Sequence, residues 1–539
     1  MWACGVWMRL PIALSAVLAA AIFAAWWWIG LPVQMPPSPL NPGEKIGCVS
    51  YAPFRPGQSP FDASNPVTSR QVDEDMARLA PVTQCVRTYA TDFGSEYVPE
   101  LARRHGLKVI QGIWLGGEAD KNRLQVQNGI ALARQYPDVI TAVVVGNEVL
   151  LRGEMTAADL ANTIRTVKSQ VPMQVTYADV WEFWLRYPSL LEAVDFVTVH
   201  ILPYWEDFPI PAKDAGAHIN DIRRKVAAAF PGREILIGET GWPSAGRMRE
   251  GALPSPASQA RVMHDVLTLA KRENYRVNLI EAFDQPWKRV LEGTVGGHWG
   301  LLDAGSREIK FVWGSAVSNH LFWRWQAAGG VVLAWITFVA AGMAARRPMG
   351  GRDWLTVAAI ALGAGILAGL AVANLPLESL GLGGWLRSLA LLGVALAAPV
   401  VTAAAVGAQV PIPSFAQLMA RAPDRLRDPL AFALGAVLIA TGILALERAL
   451  SLTFNPRYID FAFAPLTAAA LPYLVLVFAT PARGRRGTAE VVMAGALALC
   501  AVYIAFNESF ANWQALWCSA ALLALAITLP RVRSAPGSA

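Results

Sequence analysis

Two glutamates stand at the ends of apolar segments, and paired carboxyl groups are the first chemistry that this sequence offers. Glu148 ends the segment VVVGNE, and Glu239 follows the apolar segment ILIG. Cleavage of a glycosidic bond with retention needs one carboxylic acid to protonate the leaving oxygen and one carboxylate to attack the anomeric carbon. The pair predicts glycosidic chemistry if the fold brings both side chains together. The alternative is that each glutamate forms a structural ion pair with an arginine.

The elements around these glutamates alternate between β and α patterns over residues 44–325. Helical patterns occur, for example, at 69–79, 157–169, 219–229 and 256–272. Short β-rich segments between such helices predict eight strands, at 46–51, 85–89, 108–114, 140–147, 173–177, 196–200, 234–239 and 277–283. Eight alternating strands and helices predict an α/β fold, a (β/α)8 TIM barrel.

A barrel of this type would bring the two glutamates to one place. Active sites of such barrels lie at the C-terminal ends of the strands. Glu148 and Glu239 follow the fourth and seventh predicted strands, which lie roughly across the barrel mouth from each other. The competing arrangement is an open doubly wound sheet with a dinucleotide or phosphate loop. Since neither GxGxxG nor GxxxxGK[ST] occurs in the sequence, the barrel is favoured.

The segments that carry the glutamates resemble a known family. GNE at 146–148 and GETGWPS at 238–244 resemble the two signature segments of glycoside hydrolase family 17, which contains β-1,3-glucanases and β-1,3-glucan transglycosylases. Further segments that agree are SYAPF, VRTY, FDQPWK and HWGL, which begin at residues 50, 86, 283 and 298. The resemblance covers roughly residues 44–325. The whole chain resembles the membrane-embedded bacterial members, which are associated with β-1,3-, β-1,6-linked or cyclic glucan synthesis.

The resemblance implies roles for individual residues. Glu148 would be the acid/base and Glu239 the nucleophile, with carboxyl groups about 5–5.5 Å apart, whereas about 8 Å or more would indicate inversion. Asn147 would bind the 2-hydroxyl of the reacting sugar, and Tyr204 would donate to Glu239. Gln285 stands where many fungal and plant members have an acid, so no acidic role is expected there. The full set of implied substrate-binding residues is Asn147, Tyr51, Arg87, Tyr89, His200, Tyr204, Trp205, Trp242, Glu281, Trp287 and Lys288.

Tryptophans in the predicted barrel are a second source of sugar binding, because the apolar face of a pyranose stacks on an indole ring. Trp242 and Trp287 follow the seventh and eighth strands and are the best stacking candidates, with Trp205 next. About half of the barrel tryptophans are expected to serve only in core packing.

The histidines, the acidic run and the cysteines do not predict a second functional site. The six histidines show neither HxxxH nor HxH spacing, so neither a zinc site nor any other metal or cofactor is predicted. The acidic run DED at residues 73–75 lies inside the first barrel helix and is interpreted as a solvated helix face. Cys48 and Cys85 are expected to be free core cysteines, and the alternative is a disulfide between neighbouring strands in an oxidising compartment.

Composition places part of the chain in a membrane. Hydrophobic residues make up 54% and charged residues 16% of the 539 residues, and the mean hydropathy is +0.36. From Trp325 onward the chain has no lysine, 14 arginines and 8 acids, so the whole net charge of +6 resides in the apolar half. A nucleic-acid partner is therefore not predicted, because such proteins concentrate basic residues on a globular face.

Apolar segments predict eight membrane spans. One apolar run, residues 10–33, is long enough to cross a bilayer and is interpreted as a retained anchor rather than a cleaved signal peptide. Seven more lie near 327–345, 354–374, 385–408, 429–447, 462–481, 488–506 and 512–530. Alternate loops carry arginines, which the positive-inside rule places in the cytoplasm: Arg346, Arg347, Arg352, Arg421, Arg425, Arg427, Arg483, Arg485, Arg486, Arg531 and Arg533.

These patterns combine into one domain plan. We expect an N-terminal transmembrane anchor at 1–33, a proline-rich linker at 34–43, the catalytic barrel at 44–325 and a seven-helix membrane domain at 326–539. Both termini would be cytoplasmic and the barrel extracytoplasmic, in the periplasm at a bacterial inner membrane. The expected partners are the lipid bilayer and a β-1,3-glucan or oligosaccharide as donor and acceptor. A glucan synthase or an export protein is a further candidate partner.

The function predicted from the sequence is that of a membrane-bound retaining β-glucan glucosyltransferase that acts on β-1,3-glucan through a glucosyl-enzyme intermediate. An endo-β-1,3-glucanase is the alternative within the same chemistry, because hydrolysis and transfer share every step up to that intermediate. A glucan-binding export or scaffold protein is the alternative from another class. It is disfavoured because Glu447, Glu490 and Glu508 fall near span ends, whereas ion-coupled transporters carry ionisable groups deep in the membrane.

Overall fold

The computed structural model describes residues 2–419, 428–480 and 484–534. The chain divides into two compact units: Met1–Pro32 together with Ser318–Ala539, and Val33–Val317. Four of the arginines used for the topology prediction, Arg421, Arg425, Arg427 and Arg483, lie outside the described residues.

The second unit is a closed barrel of eight parallel strands, so the prediction of a (β/α)8 fold is confirmed and the open doubly wound sheet is excluded. Each strand pairs with the next along the chain, and the last closes on the first through the register Cys48↔Asn278. The strands are β1 (Cys48–Ser50), β2 (Cys85–Arg87), β3 (Lys108–Ile113), β4 (Ile140–Asn147), β5 (Gln174–Val180), β6 (Val197–His200), β7 (Ile235–Thr240) and β8 (Val277–Leu279).

Helices follow the barrel strands. After α1 (Trp2–Ile29), which belongs to the other unit, the barrel helices are α2 (Ser69–Leu79), α3 (Val98–Arg104), α4 (Ala119–Gln135), α5 (Ala157–Lys168), α6 (Trp181–Arg186), α7 (Ala212–Ala229), α8 (Pro256–Glu273) and α9 (Arg289–Gly296). Side chains of Thr68, Thr156 and Ser255 cap α2, α5 and α8 by accepting from backbone N–H groups. Short 3-10 turns occur at Ser95–Tyr97, Pro188–Glu192 and Pro286–Lys288.

The eighth strand is shorter than predicted. The sequence predicts a strand over 277–283, whereas β8 ends at Leu279. Beyond it the backbone forms a different set of bonds, in which the N–H of Glu281 donates to the carbonyl of Trp299 and the N–H of Ala282 to that of Ser50. The apolar residues of this segment therefore serve a buried loop at the barrel mouth.

Cys48 and Cys85 form a disulfide, so the expectation of two free cysteines was wrong. Cys48 begins β1 and Cys85 begins β2, and the two strands are direct neighbours in the barrel. Their Cα atoms lie 4.4 Å apart, which places the two thiols in bonding range. The spacing of 37 residues gave no sign of this pairing, because adjacency in the barrel depends on the crossover helix.

The acidic run on α2 is only partly solvated. Asp73 is partly exposed and Glu74 is exposed, but Asp75 is fully buried, so the interpretation of the whole run as a solvated face was wrong for Asp75. Its carboxylate lies 3.1 Å from Arg55 and 2.5 Å from Arg307, and it accepts a 2.9 Å hydrogen bond from the Tyr51 hydroxyl. Asp75 therefore ties α2 to the loops on either side of it.

Replacing Asp75 by asparagine is expected to destabilise the barrel by about 3 kcal/mol, because the change leaves the buried guanidinium of Arg307 without its counter-charge and removes one partner of the partly exposed Arg55. The measurement is the midpoint of barrel unfolding followed by tryptophan fluorescence of the full chain. Asp73→Asn on the same helix is the control, since the partly exposed pair of Asp73 with His105 is expected to contribute only about 0–1 kcal/mol. Equal effects of the two substitutions would contradict the structural role of Asp75.

The first unit is helical. It comprises α1 and the helices α10 (Trp323–Ala344), α11 (Gly351–Glu378), α12 (Gly381–Ala408), α13 (Phe415–Met419), α14 (Pro429–Phe454), α15 (Phe463–Ala479), α16 (Thr488–Asn507) and α17 (Trp513–Thr528), which leads into the 3-10 turn Leu529–Arg531. Two short segments, β9 (Arg485–Arg486) and β10 (Arg533–Ser534), pair antiparallel. Among the described residues, seven helices are long and apolar enough to cross a membrane, and α15 is a shorter apolar helix of 17 residues.

Candidate active site

The ends of β4 and β7 bring the two predicted catalytic glutamates together. Glu148 follows the last residue of β4, and Glu239 is the penultimate residue of β7. One carboxylate oxygen of each, together with a ring nitrogen of His200, lie within 4.8 Å of one another. Oxygens this close fit the spacing of retaining enzymes, whose carboxyl groups lie about 5–5.5 Å apart, better than the about 6.5–9.5 Å of inverting enzymes, which must admit a water molecule.

Local backbone conformation directs Glu148 into the barrel mouth. Gly146 has φ +87°, and the ladder between β4 and β5 shifts register after Val144. Glu148 itself has φ +53°, in the left-handed region that non-glycine residues rarely adopt. Its N–H donates to the carbonyl of Ala178 at 2.8 Å, which holds the turn in place. Strained conformations of this kind concentrate at functional sites.

Gly238 lets β6 and β7 approach closely beside Glu239. A Cβ atom at this position would lie 2.4 Å from Cγ2 of Thr198 and 3.2 Å from Cδ2 of His200. Any larger residue would push the ring of His200 away from the two glutamates. The glycine that precedes Glu239 in sequence therefore makes room for the histidine of the neighbouring strand.

Arg87, at the end of β2, connects the two signature segments. Its Nη1 donates to Oε1 of Glu239 and to the carbonyl of Gly238, each at 2.9 Å. Its Nη2 donates to Oδ1 of Asn147 at 2.5 Å. Since the guanidinium holds the carbonyl oxygen of the Asn147 amide, the NH2 group of that amide is the part left to meet a sugar hydroxyl. Arg87 is 1% exposed, so it positions these residues from below.

His200, the last residue of β6, lies between the glutamates. Its Nδ1 is 2.8 Å from Oε1 of Glu148, within hydrogen-bond distance, and its Nε2 is 3.7 Å from Oε1 of Glu239. The ring is fully buried, so it has little freedom to turn. His200 thus orients the Glu148 carboxyl group rather than facing the open cleft.

The surroundings of Glu239 favour its ionised form. Burial alone would raise its pKa, but electrostatic interactions with His200, Arg87 and Lys288 hold the pKa of Glu239 below the usual value, with a further contribution from the Tyr89 hydroxyl. A carboxylate that stays charged while buried is suited to attack an anomeric carbon.

Replacing Arg87 by methionine is expected to move the acidic limb of the pH–rate profile upward by about one pH unit. Activity that needs ionised Glu239 is present above the pKa of Glu239 and is lost as pH falls through it, and removal of a positive charge raises that pKa. The measurement is kcat/KM against pH on a β-1,3-linked glucose oligomer. Arg87→Lys retains the charge and is the control. An unmoved limb in Arg87→Met would contradict this electrostatic role.

Glu281 and Lys288 form a buried pair beside the catalytic groups. Lys288 Nζ donates to Oε2 of Glu281 at 2.8 Å. Burial raises the pKa of Glu281 to about 7, even though Lys288 opposes the shift. Burial also acts to lower the pKa of Lys288, but the carboxylates of Glu281, Glu292 and Glu239 raise it overall, so the ammonium stays charged. Both predicted residues therefore lie at the site and set its charge.

Two carboxyl groups near the site were missed by the sequence argument. Burial raises the pKa of Asp179, on β5, to about 6, and the charge of nearby Glu148 adds to the rise. Tyr177 donates to Asp179 and accepts from the N–H of Leu150 at 3.0 Å, which braces the segment after Glu148. Glu292, on α9, has a raised pKa because of its burial and lies in the field of Lys288, Glu148 and Glu239. The position of Asp179 near the end of β5 was a signal that could have identified it.

Three predicted binding residues are instead part of the packed interior. Tyr204 is fully buried and donates to the carbonyl of Arg247 at 2.9 Å, so its predicted bond to Glu239 was wrong. Trp242 is fully buried and donates to the carbonyl of Leu253, so it was wrongly expected to stack on a sugar. Tyr51 is 1% exposed and its hydroxyl is committed to Asp75, so it was wrongly placed in contact with substrate. Each side chain lies beneath the mouth because it packs against neighbouring loops.

The other aromatic candidates are less deeply buried. Trp287 is partly exposed, donates to Oε1 of Gln285 at 2.8 Å, and contacts Phe54 and the exposed Phe61 edge-to-face. Trp205 is partly exposed and packs on Tyr204. Trp287, Phe54 and Phe61 together form an apolar aromatic surface of the kind on which a sugar ring stacks. Trp287 remains a predicted stacking residue.

Glu148, His200 and Glu239 also have the composition of a metal-ligand set. Glu148, His200 and Glu239 each present one ligand-type atom within 4.8 Å of the others, a grouping that the sequence did not predict. The Oε1 atom of Glu239 already accepts from Arg87 at 2.9 Å, and a guanidinium there opposes a cation. The donor set therefore fits acid–base and nucleophilic chemistry better than metal binding.

Comparison with known proteins gives consistent matches to the barrel. A family model described as the BtgE/BtgC glycoside hydrolase domain matches residues 48–300. A protein of Neosartorya fischeri named probable β-glucosidase btgE is 29% identical over 225 residues, 40% of either chain. A protein of Arthroderma benhamiae named glucan 1,3-β-glucosidase is 29% identical over 259 residues, 44% of this chain and 82% of the relative. This chain thus spans less than half the length of the btgE relative.

Among solved structures, a family 17 β-1,3-glucanosyltransferase from Rhizomucor miehei is 26% identical. The match covers 49% of this chain and 95% of that chain, with a TM-score of 0.42.

Proposed function

We propose that the protein is a membrane-bound retaining β-glucan glucosyltransferase whose barrel is a glycoside hydrolase domain of the family 17 type, a proposal supported by the match of residues 48–300 to a glycoside hydrolase domain model. Its substrate would be β-1,3-glucan, and its role the synthesis or remodelling of β-1,3/1,6-glucan. The observation that carries the proposal is the approach of the Glu148 and Glu239 carboxylate oxygens to within 4.8 Å at the barrel mouth.

In the first step Glu239 attacks and Glu148 protonates. An ionised oxygen of Glu239 forms a bond to the anomeric carbon, while the bond from that carbon to the bridging oxygen breaks. The proton of Glu148 goes to the departing oxygen, so the leaving sugar departs as a neutral alcohol. His200 holds the Glu148 carboxyl group, and Arg87 fixes both the nucleophile and the Asn147 amide, whose NH2 group donates to the 2-hydroxyl. The result is a covalent glucosyl-enzyme.

In the second step the roles reverse. Glu148, now a carboxylate, takes a proton from the hydroxyl of an incoming sugar, and the resulting oxygen attacks the anomeric carbon as the bond to Glu239 breaks. Two inversions give net retention, and the new linkage is β. No nucleotide sugar is needed, because the energy of the new bond comes from the cleaved glycosidic bond.

Transfer rather than hydrolysis is proposed because a purely degradative enzyme has little use for eight apolar helices. The test is analysis of the products formed from a linear β-1,3-linked glucose pentamer. A transferase is expected to give products longer than the substrate from the first turnovers. If shorter oligomers and a stoichiometric rise in reducing ends are the only products, the protein is an endo-β-1,3-glucanase. Binding without any product would favour an export or scaffold role.

We also propose that the helical unit spans a bacterial inner membrane, with the barrel in the periplasm and both termini in the cytoplasm. Seven helices of sufficient length and apolarity support the membrane placement, and the shorter apolar helix α15 would be the eighth span that two cytoplasmic termini require. The Cys48–Cys85 disulfide supports an oxidising compartment for the barrel. The test is a fusion of alkaline phosphatase, which is active only outside the cytoplasm, at the exposed loop residue Gly57 and at Arg347. Activity is expected at the first site alone, and the reverse result would overturn the topology.

A further inference from the structure

Charged side chains gather at one end of the helical unit. Glu378 is the last residue of α11, Arg387 lies in the second turn of α12, and Glu447 and Arg448 lie in the last two turns of α14. Asp460 belongs to the segment between α14 and α15. These five residues, here named the charged cluster, interact electrostatically: Glu378 with Asp460, Arg448 and Arg387, and Arg387 with Glu447.

Hydrogen bonding within the charged cluster is incomplete. Arg448 is 4% exposed, and its Nη2 donates to the backbone carbonyl of Asp460 at 2.9 Å. Among the described residues, neither Nε of Arg448 nor the buried Oε2 of Glu447 has a hydrogen-bond partner. Arg387 and Glu447 stand 3.9 Å apart, which is beyond hydrogen-bond distance. Within the described part of the chain, one N–H of Arg448 and one oxygen of Glu447 are therefore unused, whereas the other oxygen of Glu447 accepts from the Ser451 hydroxyl at 3.2 Å. The side chains of Arg387 and Glu447 are 33% and 42% exposed, so a ligand could reach the charged cluster.

Such an arrangement is costly if its purpose is only to hold helices together. A buried guanidinium with an unmet N–H loses free energy. Ion pairs that only fasten helices gain most from short, saturated contacts. Here the charges lie side by side with unmet hydrogen-bonding groups between them, which is the condition of a site that awaits a polar ligand.

The mixture of charges defines the ligand. Three carboxyl groups oppose an anionic ligand, and two interleaved guanidinium groups oppose a cation. A neutral polyol fits both, because each hydroxyl can donate to a carboxylate and accept from an arginine N–H. We propose that the charged cluster is a second carbohydrate-binding site, separate from the barrel mouth, that binds hexose hydroxyl groups. The inference rests on the proposed function for its choice of glucose polymer as the natural ligand.

The test counts binding sites in the full chain. Protein carrying Glu239→Gln, which prevents turnover, is placed in phosphatidylcholine nanodiscs and titrated calorimetrically with a linear β-1,3-linked glucose hexamer. Two sites per chain are expected. Adding Arg448→Gln with Glu378→Gln should leave one site, and adding Arg346→Gln, an exposed arginine paired with Asp428, should leave two. If the Arg448 variant does not fold, Glu378→Gln alone is expected to weaken the second site at least tenfold.

The number of hexamer-binding sites in each variant distinguishes the charged cluster from the barrel mouth. An unchanged number and strength of sites in the cluster variants overturns the second site. One site in the parent and none in the cluster variants would support it while counting against the barrel function. A glucosyl diacylglycerol in the nanodisc distinguishes the source of the hexose: competition with the hexamer identifies a glycolipid headgroup, and absence of competition identifies a glucan chain. Both supported outcomes retain hexose binding by the charged cluster.

Discussion

Replacing Glu239 by glutamine is expected to lower kcat by about 10⁴-fold or more, the scale of loss seen when a covalent nucleophile is removed. Glutamine preserves the size of the side chain but cannot form the ester bond of a glucosyl-enzyme. The side chain is buried and its contacts to Arg87 can be kept through the amide oxygen, so folding should be little affected. The measurement is initial rate on a β-1,3-linked glucose pentamer, with melting temperature recorded for both proteins.

Glu308→Gln is the matched control, because its side chain is 74% exposed, and its activity should equal that of the parent. A sharper readout comes from Glu239→Ala with added azide. The small anion can attack the anomeric carbon from the vacated side, and one inversion then gives an α-glucosyl azide. A β-glucosyl azide from this variant, or loss below tenfold, would show that Glu239 is not the nucleophile.

The barrel and the pairing of its two glutamates were predictable from sequence for a physical reason. Eight buried parallel strands leave continuous apolar runs in the chain, and a polar residue directly after such a run lies at the barrel mouth. Glu148 and Glu239 both meet this condition, and β4 and β7 end within one residue of the expected positions. The family resemblance of the barrel followed from the same two segments, and the match of residues 48–300 to the BtgE/BtgC glycoside hydrolase domain model agrees with it.

Contacts between loops were not predictable in this way. Trp242 follows a strand as a site residue would, but its depth depends on packing against Tyr204 and on the carbonyl of Leu253. The Cys48–Cys85 bridge depends on the register of neighbouring strands, and burial of Asp75 depends on Arg307, far along the chain. Alternation of apolar and polar residues indicates which face of a helix or strand is buried. The contacts of Trp242, Cys48 and Asp75 depend instead on which distant segment of the chain packs against that face.

Replacing Glu148 by alanine is expected to lower kcat/KM on β-1,3-glucan oligomers by about 10²–10⁴-fold, the usual contribution of general acid catalysis. The loss should depend on the leaving group. A natural sugar hydroxyl needs the proton that Glu148 supplies, whereas 2,4-dinitrophenolate is stable enough to leave without it. On a dinitrophenyl β-glucoside of the same oligomer, formation of the glucosyl-enzyme should therefore be nearly unaffected. Glu239→Gln should fail on both substrates, and this contrast separates the two roles.

The second half of the reaction gives an independent sign of the same assignment. Without Glu148, no group withdraws a proton from the acceptor, so the glucosyl-enzyme should accumulate and its turnover should become limiting. Azide needs no deprotonation and should restore turnover, and because Glu239 still performs the first inversion, the product should be the β-glucosyl azide. The opposite anomers expected from Glu148→Ala and Glu239→Ala follow from carboxylates on opposite faces of one anomeric carbon. The same anomer from both variants would contradict the assignment of Glu148 as acid/base.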